Sequence, residues 1–209
     1  MTHPAMSIRI QAACSELIWA VRLNLMWIVF TLAGGVLLGL GPATVAAYTL
    51  ARRHARNESF QGWTEFWTVY RREFVRASLL VLPAAATAVV LIGNYLYFSA
   101  LGPGMGTLRI ATLVALLALA GTGAYVGPLY AHFDLPLRAY WLKASQLALL
   151  RPASSVLLLL ALSAIAFATS VAPILAPLVS FGAWIHLNTW LCLRFFEENE
   201  ARLHSKGNS

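Results

Sequence analysis

No aspartate, glutamate, lysine or arginine interrupts the chain from Ala77 to Leu108, and none from Pro152 to Leu193. Runs of that kind constrain a fold more than any motif, because about 20 apolar residues in a helix span the hydrocarbon of a bilayer. Composition points the same way. Hydrophobic residues are 59% of the chain and charged residues 11%, where a soluble domain carries roughly a quarter charged residues. The expectation is an all-α integral membrane protein, a single domain of about five transmembrane helices at 23–41, 79–99, 108–129, 153–172 and 174–193. The last two meet at Val171-Ala172-Pro173, where Pro173 and Pro177 withdraw backbone donors and disfavour helix before them. One helix across both would be too long for a single crossing. The opening MTHPAMSIRI lacks the features of a cleavable secretory signal, so the first apolar segment is expected to be retained.

Charge assigns the sides. Arg52, Arg53, Arg56, Arg71, Arg72 and Arg76 outnumber Glu58, Glu65 and Glu73 in residues 51–78. Arg138, Lys143 and Arg151 outnumber Asp134 in residues 131–152, and the tail 194–209 sets Arg194, Arg202 and Lys206 beside Glu197, Glu198 and Glu200. The loops LGPGMGT and VAPILAP carry no charge. Positive segments stay in the cytoplasm, which predicts the N-terminus outside and the C-terminus inside. The net charge of +7 then reports topology and attraction to anionic lipids, not a nucleic-acid partner. Residues 1–22 mix Met6, Ile8, Ile10, Ala13, Leu17 and Val21 with Arg9, Gln11, Ser15, Glu16 and Arg22. They read as an amphipathic lead-in that either lies in the outer interface or extends the first helix.

The stretch FQGWTEFWTVYRREFVRAS, residues 60–78, is too charged to cross a bilayer and too aromatic for a solvated linker. Phe60, Trp63, Trp67, Tyr70 and Phe74 step by three and four, which is one face of a helix, with Ser59 as its N-cap. An amphipathic elbow over 60–76 follows, its aromatics at headgroup level and its arginines in the anionic surface. Two readings stand. In one the elbow is only a membrane anchor; in the other Trp63, Glu65, Trp67, Tyr70, Arg71, Arg72, Glu73 and Arg76 dock a partner. Residues 135–150, led by Asp134 and Pro136, form a second elbow with its apolar face blurred by Trp141 and Leu142. The segments beginning Gly41-Pro42 and Gly127-Pro128 echo each other: a span ending in Gly-Pro, a tyrosine, a basic elbow, a new span. That is the pattern either of a parallel internal repeat or of similar membrane geometry without duplication.

Polar groups inside spans are the usual pointers to function in membrane proteins. Asn24 and Asn94, with Tyr95, Tyr97 and Arg109, line an outward pocket or make interhelical bonds. His186 and Asn188 lie midway along the last span, where a histidine faces the bundle interior, and no acid is expected within a span to partner it. Gly34-Gly35 and Gly39 are expected to let helices approach closely. Cys14 and Cys192 read as inert thiols. His54, His132 and His204 show no zinc-ligand spacing, and no HExxH, phosphate loop or GxSxG occurs. The reading is of a non-enzyme with no catalytic residue, metal or cofactor.

The run LNLMWIVFTLAGGVLLGLGPATVAAYTLARR, with FQGWTEFWTVYRREFVRASLL after it, resembles the YesL family of bacterial membrane proteins, a family of unknown function. The resemblance is carried from about residue 15 to about residue 100 by Leu23-Asn24-Leu25, Gly41-Pro42-Ala43, Phe66-Trp67 and Tyr70-Arg71-Arg72-Glu73-Phe74. It implies residence in the bacterial plasma (inner) membrane. It also implies an accessory role in sugar uptake, since members are often encoded beside carbohydrate ABC importers and polysaccharide-degrading enzymes. The chain is therefore expected to serve as an accessory subunit of such an importer, with the permease as its partner and the ATPase as a further candidate partner. The alternatives are a free-standing small-molecule or lipid carrier with a pocket among Asn24, Asn94, Tyr95 and His186, and a partner of a sugar-sensing signalling system.

Overall fold

The computed structural model describes residues 4–207, with side chains described at residue 11 and over 14–102 and 104–194. The described residues form helices α1 (Pro4–Ala33), α2 (Leu37–Ala55), α3 (Gly62–Arg72), α4 (Phe74–Ala100), α5 (Gly106–His132), α6 (Leu137–Leu150), α7 (Pro152–Val171) and α8 (Phe181–Gly207). A 3₁₀ turn at Pro103–Met105 precedes α5, and a π-helical turn at Ala176–Ser180 precedes α8. No strand occurs among the described residues. The tail side chains Arg202, His204 and Lys206 lie outside the described side chains, as do Glu197, Glu198 and Glu200.

This is an all-α membrane protein. Within the described residues, four helices are long and apolar enough to cross a bilayer: Cys14–Ala33, Phe74–Ala100, Gly106–His132 and Pro152–Val171. The last three contain the expected spans at 79–99 and 108–129 and all but the final residue of 153–172. Their outer faces suit lipid, since α4 exposes Val89, Val90 and Leu96 while α7 exposes Leu157, Leu160 and Phe167. The lead-in proves to be the beginning of α1, continuous with the first span.

The expected first span at 23–41 is not one helix. The chain reverses at Gly34–Val36, where Gly35 takes φ 72 and Val36 takes φ 61 and ψ −67. The Leu37 N–H donates to the Gly35 carbonyl at 2.7 Å, which makes this the rare and strained γ-turn of positive φ. Gly34 and Gly39 face each other across the reversal with no room for a Cβ. They serve the hairpin and not contact between spans. α2 then returns along α1. Trp27 Nε1 donates to Thr44 Oγ1 at 3.0 Å, and Glu16 meets His54 at 3.1 Å. The chain has come back to the end of α1 from which it set out, so no single crossing separates that end from Arg52, Arg53 and Arg56. The inference of an outside N-terminus rested on such a crossing.

The expected fifth span at 174–193 is likewise recast. α7 stops at Val171, and helix resumes through the π-helical turn into α8. Pro173 and Pro177 account for the break by removing donors.

Both Gly-Pro pairs were expected at span ends. They lie inside helices instead, Pro42 in α2 and Pro128 in α5. A proline within a helix leaves the carbonyl four residues earlier without its donor, and such a carbonyl must find another where water is scarce. For Pro42 that carbonyl is Leu38, which accepts from Ser78 Oγ of α4 at 3.0 Å. For Pro128 it is Ala124, which accepts from Asn188 Nδ2 of α8 at 2.8 Å. The glycine of each pair admits the neighbour: a Cβ on Gly41 would sit 2.6 Å from the Ala77 carbonyl oxygen, and one on Gly127 would enter the Tyr48 ring. Gly41-Pro42 thus marks the crossing of α2 with α4, while Gly127-Pro128 meets α2 through Tyr48 and α8 through Asn188.

Asn188→Leu keeps the volume but strands the Ala124 carbonyl, and it leaves Tyr48 Oη without the amide that donates to it at 2.7 Å. Unsatisfied buried groups cost about 1–3 kcal/mol each. The variant should therefore melt at a clearly lower temperature than wild type in detergent, by circular dichroism at fixed protein and detergent concentration.

Candidate functional site

The aromatic elbow is shorter than expected and better packed. α3 begins after Gln61, which makes no side-chain cap bond, so Ser59 is not its N-cap. It ends before Glu73, and Phe74 and Arg76 belong to α4. The buried side of α3 is Phe66, Val69 and Tyr70. Phe66, absent from the stripe read from periodicity, is wholly buried. The reason is Phe30 of α1. Its ring centroid lies 4.7 Å from Phe66, 5.3 Å from Tyr70, 5.9 Å from Trp67 and 6.0 Å from Trp63. Such contacts add roughly 0.5–1.5 kcal/mol per pair beyond buried area. They bind α3 to the α1–α2 hairpin and rotate its inward face from the Trp63–Trp67–Phe74 line toward Phe66. A helix-period stripe in an aromatic-rich segment cannot choose between lipid and protein as its neighbour; the tertiary contact does.

The eight elbow residues proposed from sequence for partner contact divide accordingly. Glu65 pairs with Arg53, which also meets Glu58 at 2.9 Å. Tyr70 is buried. Glu73 accepts from Tyr130 Oη at 2.6 Å and from Arg72 Nε at 2.8 Å. Arg76 donates to Asp134 at 2.9 Å and to the Leu135 carbonyl at 2.6 Å, and lies over the Tyr130 ring. Trp63 and Trp67, each 48% exposed, remain on the outer surface with Arg71 and Arg72.

Glu73, Arg76, Tyr130 and Asp134 line a cleft of about 450 Å³ together with Arg52 and Arg72. Arg52 donates across it to the Ala131 carbonyl. Burial alone would raise the Glu73 pKa. Burial is the largest single influence, but the Tyr130 hydroxyl, Arg72 and Arg76 together outweigh it, and the carboxyl lies below the usual carboxylate range. The lattice ties α2 and the α3–α4 junction to the α5–α6 connection, and its guanidinium groups suit an anionic headgroup surface.

The polar residues singled out within spans do not assemble into one pocket. Asn24 is fully buried. It donates to the Pro177 carbonyl at 2.6 Å and accepts from the Gly182 N–H at 3.0 Å, holding the start of α8 against α1. Asn94 stands exposed on α4, so Asn24 and Asn94 line no common cavity. Tyr95 and Arg109 do meet, with the guanidinium 5.9 Å from the ring centroid. Asn188 bridges Tyr48 and Ala124. His186 has the acidic partner that the sequence was not expected to supply: Glu16 lies 3.2 Å away. Glu16 was read as part of an interfacial lead-in, and only the hairpin and α8 bring it to His186.

The matches to known proteins fall on this same architecture. Residues 20–95, from α1 to most of α4, match the family described as a protein of unknown function, DUF624. The chain is 30% identical over 198 residues to uncharacterized protein YesV of Bacillus subtilis (strain 168), covering 94% of this chain and 95% of that one. It is 30% identical over 144 residues to uncharacterized protein YesL of the same organism, 67% of this chain and 68% of that one. Uncharacterized protein YteU, also of that organism, is 29% identical over 144 residues, 67% of this chain and 64% of that one. No solved structure matches the chain. With near full-length similarity to YesV and the DUF624 match across its hairpin, aromatic elbow and α4, the chain belongs to the DUF624 family of membrane proteins.

Proposed function

We propose that this protein is a non-enzymatic accessory membrane subunit of a bacterial carbohydrate ABC importer, and that it engages the permease through the outer edge of α3. One observation carries the reading. α3 is locked by Phe30 on its inner side, yet it leaves Trp63 and Trp67 half-exposed beside Arg71 and Arg72. Tryptophan and arginine are the residues most enriched where protein surfaces bind one another, and a rigidly backed helix loses little entropy on docking. The YesL-family resemblance supplies the sugar-uptake context, since members are often encoded beside carbohydrate ABC importers. The carrier alternative loses its expected pocket, because Asn24 is sealed against α8 and Asn94 is not beside it.

In this proposal the membrane is the plasma membrane, with the Arg52–Arg56 end of the hairpin and the end of α8 on the cytoplasmic side, by the positive-inside rule. Since Glu16 meets His54, the start of α1 is then cytoplasmic as well. Cys14 is exposed and Cys192 buried, so the native chain carries one natural reporter. A membrane-impermeant maleimide should label Cys14 only after cells are permeabilised; labelling in intact cells would reverse the orientation.

The docking reading is tested by purifying the tagged protein from its native membrane in mild detergent. Permease, with or without its ATPase, should be recovered in near-equal amount. The Arg71→Glu variant, at an exposed position outside the Glu73 lattice, should recover at least tenfold less while melting at the wild-type temperature. Recovery of the wild-type protein alone, with crosslinking adding no permease, would sink the proposal.

A further inference from the structure

Glu16 of α1, His54 of α2 and His186 of α8 come together at one point. Glu16 Oε2 lies 3.1 Å from His54 Nε2 and 3.2 Å from His186 Nε2, and one possible ligand atom from each of the three residues lies within 4.8 Å of the other two. We infer that they form a divalent transition-metal site, best suited to Zn²⁺, that clasps the α1–α2 hairpin to α8. The inference stands independently of the importer reading.

The distances fit. Zinc bonds imidazole nitrogen and carboxylate oxygen at about 2.0–2.2 Å, so neighbouring donors around a tetrahedral ion stand about 3.3–3.5 Å apart. The two Glu–His separations need to change by only a few tenths of an ångström, and the two histidine donors, within 4.8 Å of each other, need to close by at most about 1.5 Å. The donor set fits as well. Two imidazoles with one carboxylate suit zinc and its first-row neighbours, whereas Mg²⁺ and Ca²⁺ require predominantly oxygen ligands. The rings are held in place: His54 stacks on Trp19 with centroids 4.3 Å apart and planes 16° from parallel, while the His54 and His186 rings lie 5.8 Å apart.

The exposure fits a three-ligand site. The His54 and His186 side chains are 31% and 24% exposed, and the Glu16 side chain is 50% exposed. The imidazoles are thus mostly covered, while the carboxylate side stays open to a water that completes four-coordination. Without an ion, both imidazole N–H groups can donate to the one carboxylate oxygen, which has two lone pairs. A dication meets all three donors at once, with each histidine neutral. The ligands are far apart in the chain and come from three helices, so a bound ion crosslinks elements that sequence-local contacts do not join.

The test uses the full chain with a histidine-free tag, purified in mild detergent and stripped with chelator. Zn²⁺ should then bind at one ion per chain by elemental analysis and raise the melting temperature. Co²⁺ should bind with the visible d–d bands of a tetrahedral site, and Zn²⁺ should displace it. Glu16→Gln, His54→Gln and His186→Gln should each weaken Zn²⁺ binding at least tenfold. His186→Cys should restore it and add a thiolate-to-cobalt charge-transfer band, which separates lost ligation from lost folding. No stoichiometric Zn²⁺, binding unchanged in both histidine variants, or equal stabilisation by Mg²⁺ would each overturn the site.

Discussion

Two prolines inside helices, Pro42 and Pro128, create a problem that neighbouring helices solve. Each withdraws a donor from the carbonyl four residues earlier, and within a bilayer there is little water to take its place. Ser78 answers Pro42 at the Leu38 carbonyl, and Asn188 answers Pro128 at the Ala124 carbonyl. Asn24 performs a related service where Pro177 disturbs the start of α8, holding both a carbonyl and an N–H. Each answer comes from a different helix, so the local defect becomes a specific tertiary contact. Hydrophobic burial is a weak guide to helix pairing in lipid, because one apolar face resembles another there. These hydrogen bonds supply the selectivity that burial lacks.

Small residues let those contacts form. Gly41 admits the Ala77 carbonyl, Gly127 admits the Tyr48 ring and Gly182 admits the Ala20 carbonyl. The buried face of α2 consists mainly of small residues, Gly39, Gly41, Ala43, Ala46, Ala47 and Ala51. α2 is too short in apolar content to stand among the candidate spans, yet it touches α1, α3, α4, α5 and α8. It is an inner element around which the longer helices gather. The aromatic elbow is one consequence: α3 leans on the hairpin through Phe30, and the tryptophans left over look outward.

The legible and illegible parts of the structure divide along physical lines. Helices α4, α5 and α7 were readable because a span is a local property: length and apolar content within one stretch decide it. The reversal at Gly34–Val36 was not read because it lies inside a continuous apolar run, where hydropathy is blind to direction. The Gly34-Gly35 pair was its available signal, since Gly-Gly marks turns. Phe66 was missed because stepping by three and four admits more than one stripe when aromatics are dense. The importance of Asn24 and Asn188 was visible as polarity within spans, but their partners were not, since the partners are backbone groups.

By itself the sequence determined that this chain is a helical membrane protein, where three of its long spans lie, and that its charged segments alternate with apolar ones. Those properties depend on transfer of contiguous residues between water and lipid, a sum that can be taken along the chain. Tertiary structure alone decided that the first apolar run folds into a hairpin, and that Gly-Pro pairs mark crossings rather than ends. It alone brought Glu16, His54 and His186 into one cluster. These depend on directional bonds and steric fit between residues far apart in the chain, to which no sum over neighbours has access.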